Sequence, residues 1–151
     1  MRVAELDDHD EASVHELLVD LTLDEQRFYT HPQESRDDVA RRLRVSPRFE
    51  GENHFLIARD GSGAALGLCW VVLYDPGNGL EAEVAELYVR PGSRGRGIAK
   101  QLAVAAMSLI RARGVSFASV WTRNDNPAAL AVYRSVGFRA TEQTVLTWLP
   151  L

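Results

Sequence analysis

The chain has 151 residues, a formal net charge of -4 and 46% hydrophobic residues. This length suits one domain with a buried core, and the composition is ordinary for a globular protein. The acidic balance argues against a general nucleic-acid binder, and no apolar run is long enough to cross a membrane.

The first part of the chain predicts a short strand and a helix. Residues 2–6 alternate loosely, as a strand would. The N-terminal stretch MRVAELDDHD lacks the apolar run of a signal peptide, so we expect a cytoplasmic protein. A helix follows, because good N-cap and first-turn residues precede apolar residues at helical spacing. These are Asp7, Asp8 and Asp10, followed by Val14, Leu17, Leu18 and Leu21.

A second, shorter helix is predicted before the pattern changes to strands. Residues 25–35 are interpreted as an exposed loop or broken helix, and residues 36–43 as a helix with Val39 and Leu43 on one face. Pro47 and Gly51 interrupt the chain that follows.

Three strands are predicted next. Residues 55–59 and 65–74 flank the turn 60–63 and predict a hairpin. The third strand covers residues 81–90 and stops at Pro91.

The remainder of the chain alternates between helices and strands. Residues 98–113 predict a long helix with Gly114 as its C-cap, and residues 115–121 predict a strand. Asn126 and Pro127 suit the N-cap and first position of a last helix, which ends before Gly137. Residues 143–149 predict a final strand, so the chain as a whole predicts one mixed α/β domain.

The turn between the third strand and the long helix is the clearest functional feature. Residues 89–100 read VRPGSRGRGIAK, with three glycines, two of them in the RGRG segment. Glycines in this position leave backbone N–H groups uncovered at a helix N-terminus, which suits a phosphate. Arg94, Arg96 and Lys100 add positive charge in an otherwise acidic protein. The turn therefore predicts a phosphorylated ligand.

Two motifs resemble the GCN5-related N-acetyltransferase (GNAT) superfamily. The first is Arg94-Gly95-Arg96-Gly97-Ile98-Ala99, shortly after ELYVRP, and the second is NPAALAVYRSVGF over residues 126–138. The resemblance covers about residues 83–138. It implies one domain over residues 1–151, with a mostly antiparallel twisted sheet of six to seven strands flanked by about four helices. It also implies transfer of an acetyl group from acetyl-CoA to an amine.

The resemblance implies which residues bind coenzyme A. The backbone N–H groups of the glycine turn would hold the pyrophosphate, and the third strand would splay from residues 115–121 to pair with the pantetheine amides. The expected cofactor-binding residues are Leu87, Tyr88, Val89, Arg94, Gly95, Arg96, Gly97, Ile98, Ala99, Lys100, Asn126 and Tyr133.

The expected chemistry is direct attack of a neutral amine on the thioester carbonyl. The amine must lose a proton, for which a carboxylate is useful. Because side chains alternate along a strand, Glu83 and Glu86 are predicted on opposite faces. Glu86 is preferred as base or acceptor-binding residue, since it is nearer the splay. Tyr133 matches the family tyrosine that protonates the thiolate, and the backbone N–H of Leu87 or Val89 would polarise the carbonyl.

The acceptor is expected to be a small-molecule or peptide amine. It would enter beside the first two helices, where acidic and aromatic residues suit a cation. Phe28 and Tyr29 are the named acceptor-binding residues together with Glu86, and Asp24, Glu25 and His31 lie nearby. No nucleic-acid or membrane partner is expected, and the final strand would allow a homodimer.

The sequence leaves some alternative functions open and disfavours others. Another acyl-CoA, a hydroxyl acceptor or a non-catalytic acyl-CoA-binding module would use the same turn. A Rossmann-type site is disfavoured, because Lys100 follows where a third glycine is needed. No metal is expected, since the four histidines and one cysteine lack ligand spacing. Cys69, in the apolar run 66–73, excludes an intrachain disulfide and favours a buried inert thiol over a reactive one.

Overall fold

Four α-helices and a four-stranded sheet make up the part of the chain that the computed structural model describes, residues 11–26, 32–45, 51–146 and 148. The helices are α1 (Glu11–Gln26), α2 (Arg36–Arg42), α3 (Ile98–Ala112) and α4 (Pro127–Ser135). The strands are β1 (Gly51–Arg59), β2 (Ala65–Tyr74), β3 (Glu81–Val89) and β4 (Phe117–Val120).

The strands lie in the order β1-β2-β3-β4. The first three are antiparallel neighbours, and β4 runs parallel to β3. The β1–β2 turn is held by the Asp60 carboxylate, which accepts from the backbone N–H groups of Ser62 at 2.9 Å and Ala64 at 3.0 Å. The predicted hairpin is therefore confirmed, with the local hydrogen bonds that fix its register.

The core lies between one face of the sheet and helices α3 and α4. Alternate residues of β2 point into it, because side chains of a strand alternate between faces. Its fully or nearly buried members are Cys69, Val71, Leu73, Ala82, Val84, Val89, Ile98, Leu102, Ala106, Ile110 and Tyr133. The opposite face of the sheet carries large exposed apolar residues, namely Phe55, Ile57, Tyr88 and Phe117.

Helices α3 and α4 have the predicted caps. After α3, Gly114 adopts a φ of 66°, and its N–H donates to Arg111 while that of Val115 donates to Ile110. This is the Schellman arrangement, which satisfies the last carbonyls of a helix. At the start of α4, the Asn126 side-chain oxygen accepts from the N–H of Ala129 at 3.1 Å, and Pro127 takes the first position.

Helices α1 and α2 pack on each other around a small apolar cluster of their own. Val19, Val39 and Leu43 are its buried members, so the predicted shared face of Val39 and Leu43 is confirmed. The N–H of Arg44 donates to the carbonyl of Gly77 at 2.9 Å, which connects the end of α2 with the loop between β2 and β3.

The fold class is confirmed as mixed α/β with a mainly antiparallel sheet. The predicted final strand is wrong for the residues described, because 143–146 and 148 adopt no strand and Leu146 and Trp148 are largely exposed. The described sheet accordingly has four strands, fewer than the six to seven predicted. The predicted strand at residues 2–6 and the capping residues Asp7, Asp8 and Asp10 lie outside the described residues.

Within the described ranges, no helix combines the length and apolar character needed to span a membrane.

Candidate functional site

The turn from β3 to α3 presents a row of unused backbone donors. A short 3₁₀ turn, Pro91–Ser93, folds back on β3 through a hydrogen bond from the N–H of Ser93 to the carbonyl of Arg90 at 2.9 Å. The first helical bond of α3 runs from the N–H of Gln101 to Gly97 at 3.1 Å. Between these bonds, the N–H groups of residues 95–100 have no partner within the described chain. Uncovered donors at a helix N-terminus form an anion site.

Glycine is required in this turn by backbone conformation. Gly95 has a φ of 75° and Gly97 a φ of 77°, which is the left-handed region. A Cβ atom added to either residue would meet no atom within 4 Å, so the space above both is open. An approaching ligand therefore meets bare backbone at these two positions.

The charged side chains of the turn divide into two kinds. Arg96 and Lys100 are exposed, and neither forms an ion pair with any described residue. Arg94 instead folds back on β3, where its Nε donates to the carbonyl oxygen of Val89 at 3.0 Å and its guanidinium lies 6.0 Å from the centre of the Tyr88 ring. Arg94 thus fixes the turn against the strand, while Arg96 and Lys100 are available to an anion.

The end of β3 has an open edge on the side of β4. Pairing with β4 covers only Glu81 to Val84. The N–H of Arg90 donates to Leu66, which is its partner position on β2, so the bonded pairs alternate from there. The backbone groups of Leu87 and Val89 consequently point away from β2, toward the space beyond the end of β4. The N–H and carbonyl of Leu87 and the N–H of Val89 can bind an extended ligand as an added strand would, whereas the Val89 carbonyl oxygen already accepts from Arg94.

A β-bulge in β3 corrects the predicted placement of the two glutamates. Trp70 pairs with Glu86 but Val71 pairs with Val84, so Ala85 is an extra residue in β3. The bulge shifts the alternation by one residue. Glu83 and Glu86 pair with Val72 and Trp70, two residues apart on β2, and therefore lie on the same face. The prediction that they face opposite sides is wrong.

Tyr133 lies in the core beneath this part of β3. It is 8% exposed, and its ring meets that of Phe138 edge-on at 5.9 Å between centroids. Burial raises the pKa of the Tyr133 hydroxyl above its usual 10, and the nearby Cys69 and Glu86 raise it further. The phenol therefore keeps its proton at neutral pH.

Cys69 is buried, as predicted. It is 0% exposed, and burial raises the pKa of its thiol to about 11. A thiol in this state has little thiolate at neutral pH and is a poor nucleophile.

The structure describes only some of the remaining predicted site residues. The Asn126 oxygen caps α4, so its amide N–H₂ is the part left for a ligand. The predicted acceptor-binding residues Phe28 and Tyr29, and neighbouring His31, lie outside the described residues.

Sequence reasoning missed an aromatic pair on the exposed face of the sheet. Phe55 and Trp70 stack there, beside Glu86. The signal was present, because Trp70 occupies an outward position in the alternating pattern of β2.

Comparisons with known proteins agree with this geometry. Residues 14–138 match the family described as "Acetyltransferase (GNAT) family". A mycothiol acetyltransferase of Beutenbergia cavernae is 34% identical over 124 residues, which cover 78% of this chain and 39% of that protein. A mycothiol acetyltransferase of an Arthrobacter species is 31% identical over 132 residues, covering 83% and 40%. The chain thus spans about two fifths of the length of these relatives.

A solved structure shares the fold. AAC(6')-Iy, in complex with the bisubstrate analogue CoA-S-monomethyl-acetylneamine, superposes with a TM-score of 0.53 at 22% identity, covering 92% of this chain and 93% of that one.

Proposed function

The chain belongs to the acetyltransferase (GNAT) family, and from this membership we propose that it transfers an acetyl group from acetyl-CoA to an amine. The observation that carries the proposal is the row of N–H groups at residues 95–100, next to the open edge of β3. Together they match the two ends of one ligand, a pyrophosphate and an extended chain of amides.

We assign the two ends of acetyl-CoA to the glycine turn and to the open edge of β3. The pyrophosphate would bind the N–H groups of the turn, with Arg96 and Lys100 beside it. The pantetheine arm would lie along β3, bound to the backbone N–H and carbonyl of Leu87 and to the N–H of Val89. The fit is supported by the open space above Gly95 and Gly97, which a side chain would fill.

The acetyl group would then arrive at the bulge in β3. The backbone N–H of Leu87 points into the open edge and would donate to the carbonyl oxygen as negative charge develops on it. Glu86, on the exposed face beside this position, would accept the proton of the incoming ammonium directly or through water. Attack by the neutral amine forms the new C–N bond, and breakage of the C–S bond releases the coenzyme A thiolate. The nitrogen gives up its second proton to solvent as the neutral amide forms.

Tyr133 would donate a hydrogen bond and finally a proton to this thiolate, and it would regain a proton from solvent. Its raised pKa keeps the phenol protonated until it is needed. Cys69, although close to it, stays a neutral thiol and does not compete as a nucleophile.

Turnover of the Glu86→Gln variant tests the proposal. We expect thiol release from acetyl-CoA with an amine acceptor, and a loss of about 100-fold in kcat/KM in Glu86→Gln at pH 7. The loss should shrink at high pH, where the amine loses its proton unaided. Glu142→Gln, which removes an exposed carboxylate outside the sheet, is the control and should act as wild type. Acetyl-CoA binding without turnover of any amine would contradict the proposal and indicate a binding module.

A further inference from the structure

The exposed face of the sheet carries a row of three side chains that leads away from the open edge of β3. Glu86 pairs with Trp70 across β3 and β2, and Trp70 pairs with Phe55 across β2 and β1. Directly opposed residues project from the same face of a sheet, so the three side chains are neighbours. We call Phe55, Trp70 and Glu86 the acceptor row.

The two aromatic rings of the acceptor row are held in place. They stack with centroids 5.4 Å apart and planes 25° apart. The Nε1 of Trp70 donates to the side-chain oxygen of Asn53 at 2.8 Å, which fixes the orientation of the indole. Phe55 nevertheless remains 59% exposed. An ordered aromatic pair with one exposed and one half-buried ring offers ring surface to a ligand.

The charge on this face identifies the chemistry of that ligand. Glu83 and Glu86 both lie on it because of the bulge at Ala85, and neither carboxylate forms an ion pair or hydrogen bond with a described side chain. Two uncompensated carboxylates disfavour an anionic or purely apolar partner. Aromatic rings and carboxylates both attract cations, so the two observations independently favour a ligand with positive charge.

We propose that the acceptor is a small molecule with at least two ammonium groups, a proposal that rests on the function proposed above. One amine lies at Glu86 and reacts, and the second lies against the Trp70–Phe55 pair or Glu83. Since neighbouring strands are about 5 Å apart, the second charge is expected about 5 to 10 Å from the reacting nitrogen. Trp70 is then a specificity-determining residue that touches the acceptor but takes no part in the chemistry.

A matched pair of acceptors tests this selectivity in the wild-type protein. We expect kcat/KM for 1,4-diaminobutane to exceed that for butylamine, which has the same carbon chain and one charge, by at least about tenfold. Trp70→Leu should lower kcat/KM for the diamine by about five- to thirtyfold and kcat/KM for butylamine by several-fold less, while acetyl-CoA affinity stays unchanged.

Two further variants serve as controls. Phe117→Leu removes another exposed aromatic side chain on the same face, next to Glu81 and outside the acceptor row, and should leave the diamine preference intact. Trp70→Phe keeps an aromatic ring and should retain most of the preference. If Trp70→Leu fails to fold, as judged by circular dichroism, the wild-type comparison and Trp70→Phe decide the question.

Three results would overturn the inference, and they differ from failure of the proposed function. They are equal kcat/KM for the diamine and butylamine, an equal loss for both acceptors in Trp70→Leu, or a wild-type dimer that Trp70→Leu dissociates. The last would place a second copy of the chain on this face. Absence of turnover with every amine would instead contradict the acetyltransferase activity itself.

Discussion

At the scale of single residues, Tyr133 combines a buried ring with a hydroxyl that stays protonated. Its ring is part of the core between the sheet and helices α3 and α4, while its hydroxyl lies near Glu86 and Cys69. Both burial and these neighbours disfavour the phenolate. The side chain is therefore a neutral hydrogen-bond donor at neutral pH.

Tyr133→Phe should separate this role from packing. We expect kcat to fall by about 10- to 100-fold, because one donor to the leaving thiolate is lost, while the Kd of acetyl-CoA changes little. The wild-type pH profile should show no falling limb from Tyr133 below pH 10, since its pKa is raised above that value. Steady-state kinetics and calorimetry measure the two effects.

Phe138→Leu is the matched control, because it removes the ring that packs edge-on against Tyr133 and leaves the hydroxyl. Phe138→Leu should lower the Tm and leave kcat nearly unchanged. Equal losses of kcat and of acetyl-CoA affinity in Tyr133→Phe would show that the tyrosine has only a structural role.

At the scale of secondary-structure elements, the sequence predicts most boundaries. The alternation in β2 and the caps of α3 and α4 are local signals, and the structure has all of them. The bulge at Ala85 carries no such signal, because it depends on how β3 pairs with β2. The relative placement of Glu83 and Glu86 therefore needed the structure.

The final strand shows a second limit. Residues 143–146 have an apolar content compatible with a strand, but a strand also needs a partner, and none is supplied within the described part of the chain. A homodimer formed through that segment stays a prediction, because pairing with a second copy of the chain is a separate question from pairing within one chain.

An ion pair between elements gives a prediction of pH-dependent stability. Arg113, at the end of α3, donates to Glu52 of β1 at 2.6 Å. Arg113 and, after it, His54 lower the pKa of Glu52 from 4.5 to about 2. A lowered pKa stabilises the folded state above pH 4.5, and this contribution is lost as the pH falls from 4.5 toward 2.

Glu52→Gln should therefore lower the Tm slightly at pH 7, and the difference from wild type should shrink as the pH approaches 2. Thermal unfolding followed by circular dichroism measures it. Asp125→Asn is the control, since Asp125 pairs with Arg123 only two residues away and connects no elements. A Tm difference that is constant with pH would mean that the Glu52 carboxylate charge contributes nothing.

At the scale of the whole molecule, the two faces of the sheet differ in what covers them. One face packs on α3 and α4 and supplies the core that holds the glycine turn and Tyr133 in place. The other face is exposed and carries the acceptor row with Glu83. The open edge of β3 lies between them, where a donor bound to the turn and an acceptor on the exposed face would meet.

The central claim is that the turn at residues 95–100 binds acetyl-CoA. Isothermal titration calorimetry with the wild-type protein should give a Kd of about tens of micromolar or lower. Gly97→Ala should weaken binding by about tenfold or more, because its φ of 77° strains any residue with a Cβ. Gly92→Ala, in the same turn but without a positive φ and with open space around it, should bind as wild type. No detectable heat with acetyl-CoA, or equal affinity in Gly97→Ala and wild type, would contradict the account.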